Sequence, residues 1–202
     1  VGKLTADRAS NELEPGAASR SASMLTRDDT LLFALGGLSK SIGLPQVKLG
    51  WIAVAGPQGR VADALKRLEI VCDTYLSVST PVQLAARELL ERGAGIRRQI
   101  AARIAANYRQ LKDLVASAPS CRLLHAAGGW SAVVQVPTFR SEEELVVDLL
   151  SKEGVLVHPG YFFDFPRESF LILSLLPPES LFGDGVKRLL AHLEEEPYPL
   201  SG

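Results

Sequence analysis

Short apolar runs alternate with stretches of helical periodicity along most of this chain, and this alternation limits the folds available to its 202 residues. The runs TLLFAL (30–35) and LGWIAVAGP (49–57) are continuous, which predicts strands that are covered on both faces. From residue 95 onward the patterns follow the order α-β-β-α-β-β-α. The sequence therefore predicts an α/β fold whose later part is a self-contained unit.

Capping signals and apolar spacing predict where the helices begin and end. Thr80, followed by a proline, predicts the start of one helix, and Gly93 predicts its end. The residues SEEE, which begin at Ser141, form a capping box and predict the start of another helix. Residues 96–116 should form the longest helix, because apolar side chains recur three or four positions apart: Ile96, Ile100, Ile104, Tyr108, Leu111 and Val115.

Composition and charge argue against several classes of protein. The chain is 47% apolar and 22% charged with a formal net charge of −1, so we expect neither a nucleic-acid partner nor a membrane partner. It has no run of about 18 apolar residues and no signal-peptide pattern, which makes the cytoplasm the expected location. Cys72 and Cys121 are expected to be buried thiols, and no metal site is expected.

The segment GGLSKSIGLPQVKLGW, residues 36–51, carries the most specific chemistry. Lys40 follows a predicted buried strand and two glycines, which places its amine among small and apolar residues. Desolvation favours the neutral form of an amine, and a neutral amine attacks an aldehyde or exchanges an imine. Lys40 is therefore a candidate nucleophile.

Ser39 and Lys40, followed by Gly43, Pro45 and the residues KLGW, resemble the signature of the class I/II, fold-type I aminotransferases, which depend on pyridoxal 5′-phosphate. The resemblance implies that Lys40 forms a Schiff base with this cofactor and moves a proton between the substrate Cα and the cofactor. It also implies that Lys48, at a position where the family generally has arginine, pairs with the cofactor phosphate. Ser39 is implied to belong to the same cofactor site.

The resemblance covers about residues 12–195, including the segments YLSVSTPVQLAARELL, GGWSAVVQVP and GVLVHPGYFF. It implies an α/β fold that is the C-terminal portion of a fold-type I pyridoxal-phosphate-dependent transferase. Residues 1–94 would be the end of the large cofactor-binding domain, and residues 95–202 would be the small C-terminal α/β domain. A homodimer is implied as well, because the sites of this family are built at a dimer interface.

The N-terminal part of the chain departs from the family pattern. The family places an Asp about 36 positions before the Schiff-base lysine, to hold the pyridine nitrogen protonated, and a Tyr three residues after it. Leu4 and Asp7 stand at these positions. The segment that would supply the glycine-rich phosphate turn is also missing from the sequence. We therefore expect either a truncated product or a chain completed by a separate N-terminal polypeptide.

The late strand pattern FLILSLL departs from the family as well. The family generally places a carboxylate-binding arginine two residues before a Ser or Cys there, and the residue two before Ser174 is Ile172. Arg167 is the candidate replacement, and Tyr161 is a candidate for the lining of the substrate pocket. The apolar character of Ile172 and of residues 161–163 favours uncharged or aliphatic amino acids over dicarboxylic ones.

Three functional hypotheses remain open from the sequence. The first is transamination between an amino acid and a 2-oxo acid through the lysine Schiff base. The second is a pyridoxal-phosphate-dependent lyase or decarboxylase of the same fold. The third is a chain without catalytic activity of its own, either truncated or degenerate, or one part of a split enzyme. The missing Asp-x-x-Tyr favours this third hypothesis.

Overall fold

The computed structural model describes residues 27–137 and 139–195, and the chain divides into two units after residue 99, within one long helix. The predictions for Leu4 and Asp7 lie outside the described residues. In the described part of the chain, the first unit contains strands β1 (Leu32–Gly37) and β2 (Gly50–Ala55), the short helix α1 (Leu38–Ser41), helix α2 (Gln58–Asp73) and the first part of helix α3 (Thr80–Ala116).

The second unit begins with the rest of α3 and matches the order predicted from residue 95 onward. Its elements are β3 (Arg122–Leu123), β4 (Ser131–Gln135), α4 (Glu142–Glu153), β5 (His158–Pro159), β6 (Phe170–Ser174) and α5 (Glu179–Glu195). The strands form one antiparallel sheet in the order β3-β4-β6-β5. The prediction of an α/β unit is confirmed.

The β1–β2 hairpin differs from the sequence prediction in both its length and its environment. Gly36 and Gly37, expected to end the strand, pair with Trp51 and Gly50 and extend it. A Cβ atom on Gly36 would lie 2.5 Å from Nε1 of Trp51, so the absence of a side chain there lets the indole cross the strand.

The predicted covering of both hairpin faces is wrong for the part of the chain that the structure describes. Phe33 and Ile52 are about half exposed, and Leu35 is 81% exposed. These side chains share one face, because Leu35 lies opposite Ile52 and Phe33 lies two residues from Leu35. The described residues of the first unit supply only two paired strands, and covering this face needs further neighbours.

Helix α3 runs through the position at which Gly93 was predicted to end a helix, so that prediction is wrong. Gly93 is buried against Ile42, and a Cβ atom on it would lie 2.5 Å from Cγ2 of Ile42. The glycine therefore serves a close packing contact and not a C-cap. The predicted buried face of the helix is confirmed for Ile104, Tyr108, Leu111 and Val115, whereas Ile96 is 48% exposed.

The core of the second unit lies between its sheet and its helices. Asn107 is fully buried within it, and its Nδ2 donates hydrogen bonds of 2.9 Å to the carbonyl oxygens of Leu175 and Pro177. The predicted capping box is confirmed, since Ser141 Oγ accepts from the Glu144 amide and Glu144 Oε2 accepts from the Ser141 amide. Both interactions fix backbone segments that flank strands of the sheet.

The two cysteines have different environments. Cys72 is exposed, so the prediction of a buried thiol is wrong for it. It lies near the end of α2, a helix in which Ala64 is the one buried residue within the described part of the chain. Cys121 is half-buried, and burial raises the pKa of its thiol. Its environment therefore keeps the Cys121 thiol protonated at neutral pH.

Candidate active site

The connection between β1 and β2, residues 38–49, carries three of the predicted site residues: Ser39, Lys40 and Lys48. The connection is closed at its base, because Gly37 pairs with Gly50 and the amide of Leu38 donates to the carbonyl of Leu49 at 3.0 Å. The structure therefore brings these three residues into one compact loop, which we call the lysine loop.

Backbone hydrogen bonds and two buried side chains hold the lysine loop. The carbonyl oxygen of Leu38 accepts from the amides of Ile42 and Leu44 at 3.3 Å and 3.1 Å. Leu38 is fully buried and Ile42 is 2% exposed, so the loop is anchored by apolar contacts beneath it. Ser41 Oγ adds a 2.7 Å hydrogen bond to the Gly37 carbonyl. The loop presents its lysines from a fixed backbone.

Lys40 lies in α1, and its side chain is exposed. The prediction that Lys40 is buried among apolar residues is therefore wrong within the described part of the chain. The physical reason is that Leu38 and Lys40 lie on different sides of the short helix, so Leu38 is buried while Lys40 faces solvent. Ser39 is half-buried beside it.

Lys48 has a left-handed backbone, with φ 56° and ψ 39°, directly after the 3₁₀ turn Pro45–Val47. This conformation costs an L-residue with a Cβ atom on the order of 1 kcal/mol relative to the right-handed region. Such strain is concentrated at functional positions in proteins, because selection there maintains a residue that glycine would replace without strain. The side chain of Lys48 is exposed.

The predicted substrate residues, Tyr161 and Arg167, lie together in the connection between β5 and β6. The ring of Tyr161 packs edge-on against Phe162, with ring centroids 4.8 Å apart, and remains 45% exposed. The guanidinium carbon of Arg167 lies 5.7 Å from the centroid of the Phe170 ring, which is a cation–π contact. Both side chains are therefore accessible from solvent and positioned by aromatic neighbours.

Ile172, at the place where the family pattern has arginine, is a core residue. It is 4% exposed in β6, whereas Ser174, two residues later, is exposed. An arginine at position 172 would need an anion to pair with its buried guanidinium. The apolar packing around Ile172 in β6 thus agrees with the absence of a carboxylate-binding arginine at this position.

One buried acidic residue is missing from the sequence prediction. Glu142 begins α4, is 2% exposed, and accepts hydrogen bonds from the amides of Tyr161 and Phe170. In the sequence it stands among three consecutive glutamates of the first helical turn, and the capping box accounts for Glu144. Its partners are 19 and 28 residues away, so no local signal distinguishes it from Glu143.

His192 is also buried, between Arg140 and Glu153, as expected of a structural histidine. Within residues 27–137 and 139–195, no three His, Cys, Asp or Glu side chains form a group that could hold a metal ion. The helices of the same ranges include none that is long and apolar enough to cross a membrane.

Residues 6–181 match the sequence profile of a family described as aminotransferase class I and II. The chain belongs to this family. It is 23% identical over 184 residues to an alanine aminotransferase of Mycobacterium bovis, covering 80% of this chain and 39% of that protein. It is 22% identical to the glutamate-pyruvate aminotransferase AlaA of Haemophilus influenzae, covering 83% of this chain and 43% of that one.

Solved structures of aminotransferases share the fold. An alanine aminotransferase from Pyrococcus furiosus has a TM-score of 0.68 at 19% identity, covering 84% of this chain and 44% of that one. An alpha-aminoadipate aminotransferase from Thermus thermophilus, complexed with N-(5′-phosphopyridoxyl)-L-leucine, has a TM-score of 0.61 at 27% identity, covering 80% and 41%. The chain thus spans about two fifths of the length of these relatives.

Pyridoxal phosphate is the cofactor of this family, and the lysine loop suits both of its reactive ends. The cofactor presents an aldehyde, for which an amine is the partner, and a phosphate, for which a second cation is the partner. The lysine loop carries an amine at Lys40 and a second cation at Lys48, and Ser39, which has a hydroxyl group, directly precedes Lys40. The residues present therefore fit the cofactor.

Proposed function

We propose that this chain is the C-terminal portion of a pyridoxal-phosphate-dependent aminotransferase that transfers the amino group of an amino acid to a 2-oxo acid. The observation that carries the proposal is the closed loop that holds Lys40 and Lys48 together, in a chain of this family. We assign residues 1–94 to the end of the large cofactor-binding domain and residues 95–202 to the small domain.

In the proposed reaction, the Lys40 amine would hold the cofactor through its aldehyde end, and Lys40 Nζ would then move a proton at the substrate Cα. Lys48 would pair with the cofactor phosphate through its ammonium group, and Ser39 would belong to the same cofactor site. When bound, pyridoxal phosphate supplies an electron-withdrawing ring that acidifies the Cα proton. A lysine amine in its neutral form is the base that accepts this proton.

Arg167 is assigned to the carboxylate of the amino acid and Tyr161 to the lining of its pocket. Both are exposed side chains of one loop, and a guanidinium is the side chain that best matches carboxylate geometry. The names of the relatives refer to alanine and to glutamate with pyruvate, which supports L-alanine, converted to pyruvate, as the small uncharged amino acid of the reaction.

The alternative proposal is that this chain is active only together with an N-terminal half of the fold, and this alternative expects no pyruvate from the chain alone. The exposed apolar face formed by Phe33, Leu35 and Ile52 supports it, because a two-stranded hairpin is marginally stable without neighbours. A homodimer and a cytoplasmic location remain proposals of the same kind. The genomic region upstream distinguishes the possibilities: the missing half encoded in the same frame would indicate one longer chain, and the same half in another frame would indicate a split enzyme.

The proposed function is tested with the chain loaded with pyridoxal phosphate and mixed with L-alanine in a single turnover. We expect one pyruvate per lysine-bound cofactor, bleaching of the visible band and no release of carbon dioxide. Lys40→Ala should abolish all pyruvate formation, and Lys66→Ala, an exposed lysine on α2, is the matched control. Release of carbon dioxide without pyruvate would contradict transamination and would indicate a decarboxylase.

A further inference from the structure

One buried carboxylate holds both ends of the connection that carries Tyr161 and Arg167. Glu142 Oε2 accepts a hydrogen bond of 3.0 Å from the Tyr161 amide, and Glu142 Oε1 accepts one of 2.7 Å from the Phe170 amide. The carboxylate is 2% exposed, so water does not compete for these contacts. We call residues 160–169 the substrate loop and these two hydrogen bonds the Glu142 clamp.

The backbone around the Glu142 clamp leaves little room for another arrangement. A Cβ atom on Gly160 would lie 2.8 Å from Cβ of Phe170 and 3.1 Å from Glu142 Oε1. At the other end of the loop, Ser169 has a φ of 106°, which side-chain-bearing residues rarely adopt, and its carbonyl accepts from Val136 at 2.8 Å. Charge-assisted hydrogen bonds from the backbone amides to Glu142 offset the cost of this backbone.

The substrate loop presents its side chains outward from this fixed base. Phe162 and Phe163 are more than half exposed, and Tyr161 packs edge-on against Phe162. Arg167 stays over the ring of Phe170, whose own amide is bound by Glu142. The position of Arg167 therefore depends on the same carboxylate that fixes Tyr161 at the start of the loop.

We propose that Glu142 is a positioning residue that holds the substrate loop in the conformation in which Tyr161 and Arg167 bind the amino acid. This inference rests on the proposed function. Glu142 itself touches neither substrate nor cofactor in this account; it acts through two backbone amides, 19 and 28 residues away. Its removal should weaken substrate binding and leave the rate at saturating substrate unchanged.

Two variants of the same helical turn provide a matched comparison. Glu142→Gln keeps the size of the side chain but turns one acceptor into an NH₂ donor, which faces a backbone amide and leaves it unpaired. Glu143→Gln removes the same charge from the same turn of α4, and Glu143 is exposed. The pair thus separates the Glu142 clamp from the effect of helix charge.

The first measurement is amide hydrogen exchange at Tyr161 and Phe170 in the full chain, which requires no activity. We expect exchange to be at least about tenfold faster in Glu142→Gln and unchanged in Glu143→Gln, because a lost charged hydrogen bond is worth about a factor of ten or more. Equal protection in both variants would overturn the inference. Faster exchange at every core amide would show general unfolding and would also overturn it.

The second measurement is the single turnover with L-alanine at increasing concentration. Glu142→Gln should raise the half-saturating alanine concentration by about tenfold, with less than a twofold change in the limiting rate, and Glu142→Asp should recover part of the loss. Loss of amide protection without a change in half-saturation would overturn the inference while the proposed function stands. A wild-type chain without a Lys40-dependent band would overturn both.

Discussion

Arg140 Nη2 donates a hydrogen bond to Nε2 of the buried His192 across 2.9 Å. Arginine has only donors, so Nε2 of the imidazole must be the acceptor and its proton must reside on Nδ1. Nδ1 lies 3.2 Å from Oε1 of Glu153, which accepts that proton's hydrogen bond. The neighbours of His192 thus select one neutral tautomer.

We predict that nitrogen NMR of the neutral imidazole of His192 shows a protonated Nδ1 and a bare Nε2. Arg140→Gln should weaken this preference, because its amide can donate or accept while Glu153 still accepts from Nδ1, and should lower the free energy of unfolding of the second unit by about 1–3 kcal/mol through the lost charged contacts. A protonated Nε2 in the unmodified chain would contradict the assignment of Arg140 as donor.

Asp148 should give the second unit an acid-sensitive contribution to stability. Hydrogen bonds from Lys152, at 2.7 Å, and from Arg140 hold the pKa of the Asp148 carboxyl below its ordinary value. A lowered folded-state pKa means that the stabilisation is present above the unfolded value of about 3.9 and is lost as the pH falls through the folded one. We therefore expect the denaturant midpoint of unfolding, measured from about pH 6 to pH 2, to fall as Asp148 becomes protonated.

Lys152→Gln is the variant that checks the cause, because Lys152 makes the largest contribution to the lowered pKa of Asp148. The carbon NMR titration of Asp148 should move to higher pH in this variant. Lys187→Gln is the control, since it removes one exposed lysine from α5 without touching Asp148. An Asp148 titration that responds equally to both substitutions would show a general charge effect instead.

The left-handed backbone of Lys48 makes separate predictions for stability and for cofactor affinity. Lys48→Gly should be more stable than Lys48→Ala by about 1 kcal/mol, because only the alanine retains the strained Cβ. Both variants should bind pyridoxal phosphate about fivefold more weakly, and Lys48→Arg should retain the affinity. Equal affinities in all four proteins would remove Lys48 from the phosphate site, and equal stabilities would contradict the strain.

Two glycines of helix α3 should respond oppositely to the same substitution. Gly93→Ala places a Cβ atom against the buried Ile42 and should destabilise the chain by about 1–3 kcal/mol. Gly95→Ala has no neighbouring atom within 4 Å and should stabilise it by about 0.5–1 kcal/mol through helix propensity. Denaturant unfolding of the two variants measures the difference; equal effects would contradict the close packing of Gly93.

The success of the sequence predictions follows the range of the interactions involved. The capping box of Ser141 and Glu144 is a contact over three residues, and it forms as predicted. Gly93 was misjudged because its contact with Ile42 spans about fifty residues and overrides the local signal for a helix end. Short-range chemistry is therefore readable from the sequence alone.

In the candidate site, too, the features that lie close together in sequence were the ones that could be predicted. A signature within one stretch of chain predicts Lys40 and Lys48 as site residues, and the closure of the hairpin places both in one loop. The exposure of Lys40 and the Glu142 clamp depend on packing and on contacts across many residues, which have no periodic signature. Both features required the structure.

Borohydride trapping shows whether Lys40 is the lysine that binds pyridoxal phosphate. The chain is incubated with pyridoxal phosphate, reduced, digested and mapped by mass spectrometry, beside Lys40→Ala and Lys66→Ala. The account predicts one phosphopyridoxyl group per chain on Lys40, absent in Lys40→Ala and unchanged in Lys66→Ala. Labelling spread over exposed lysines such as Lys66 and Lys187, or labelling indifferent to the loss of Lys40, would contradict it.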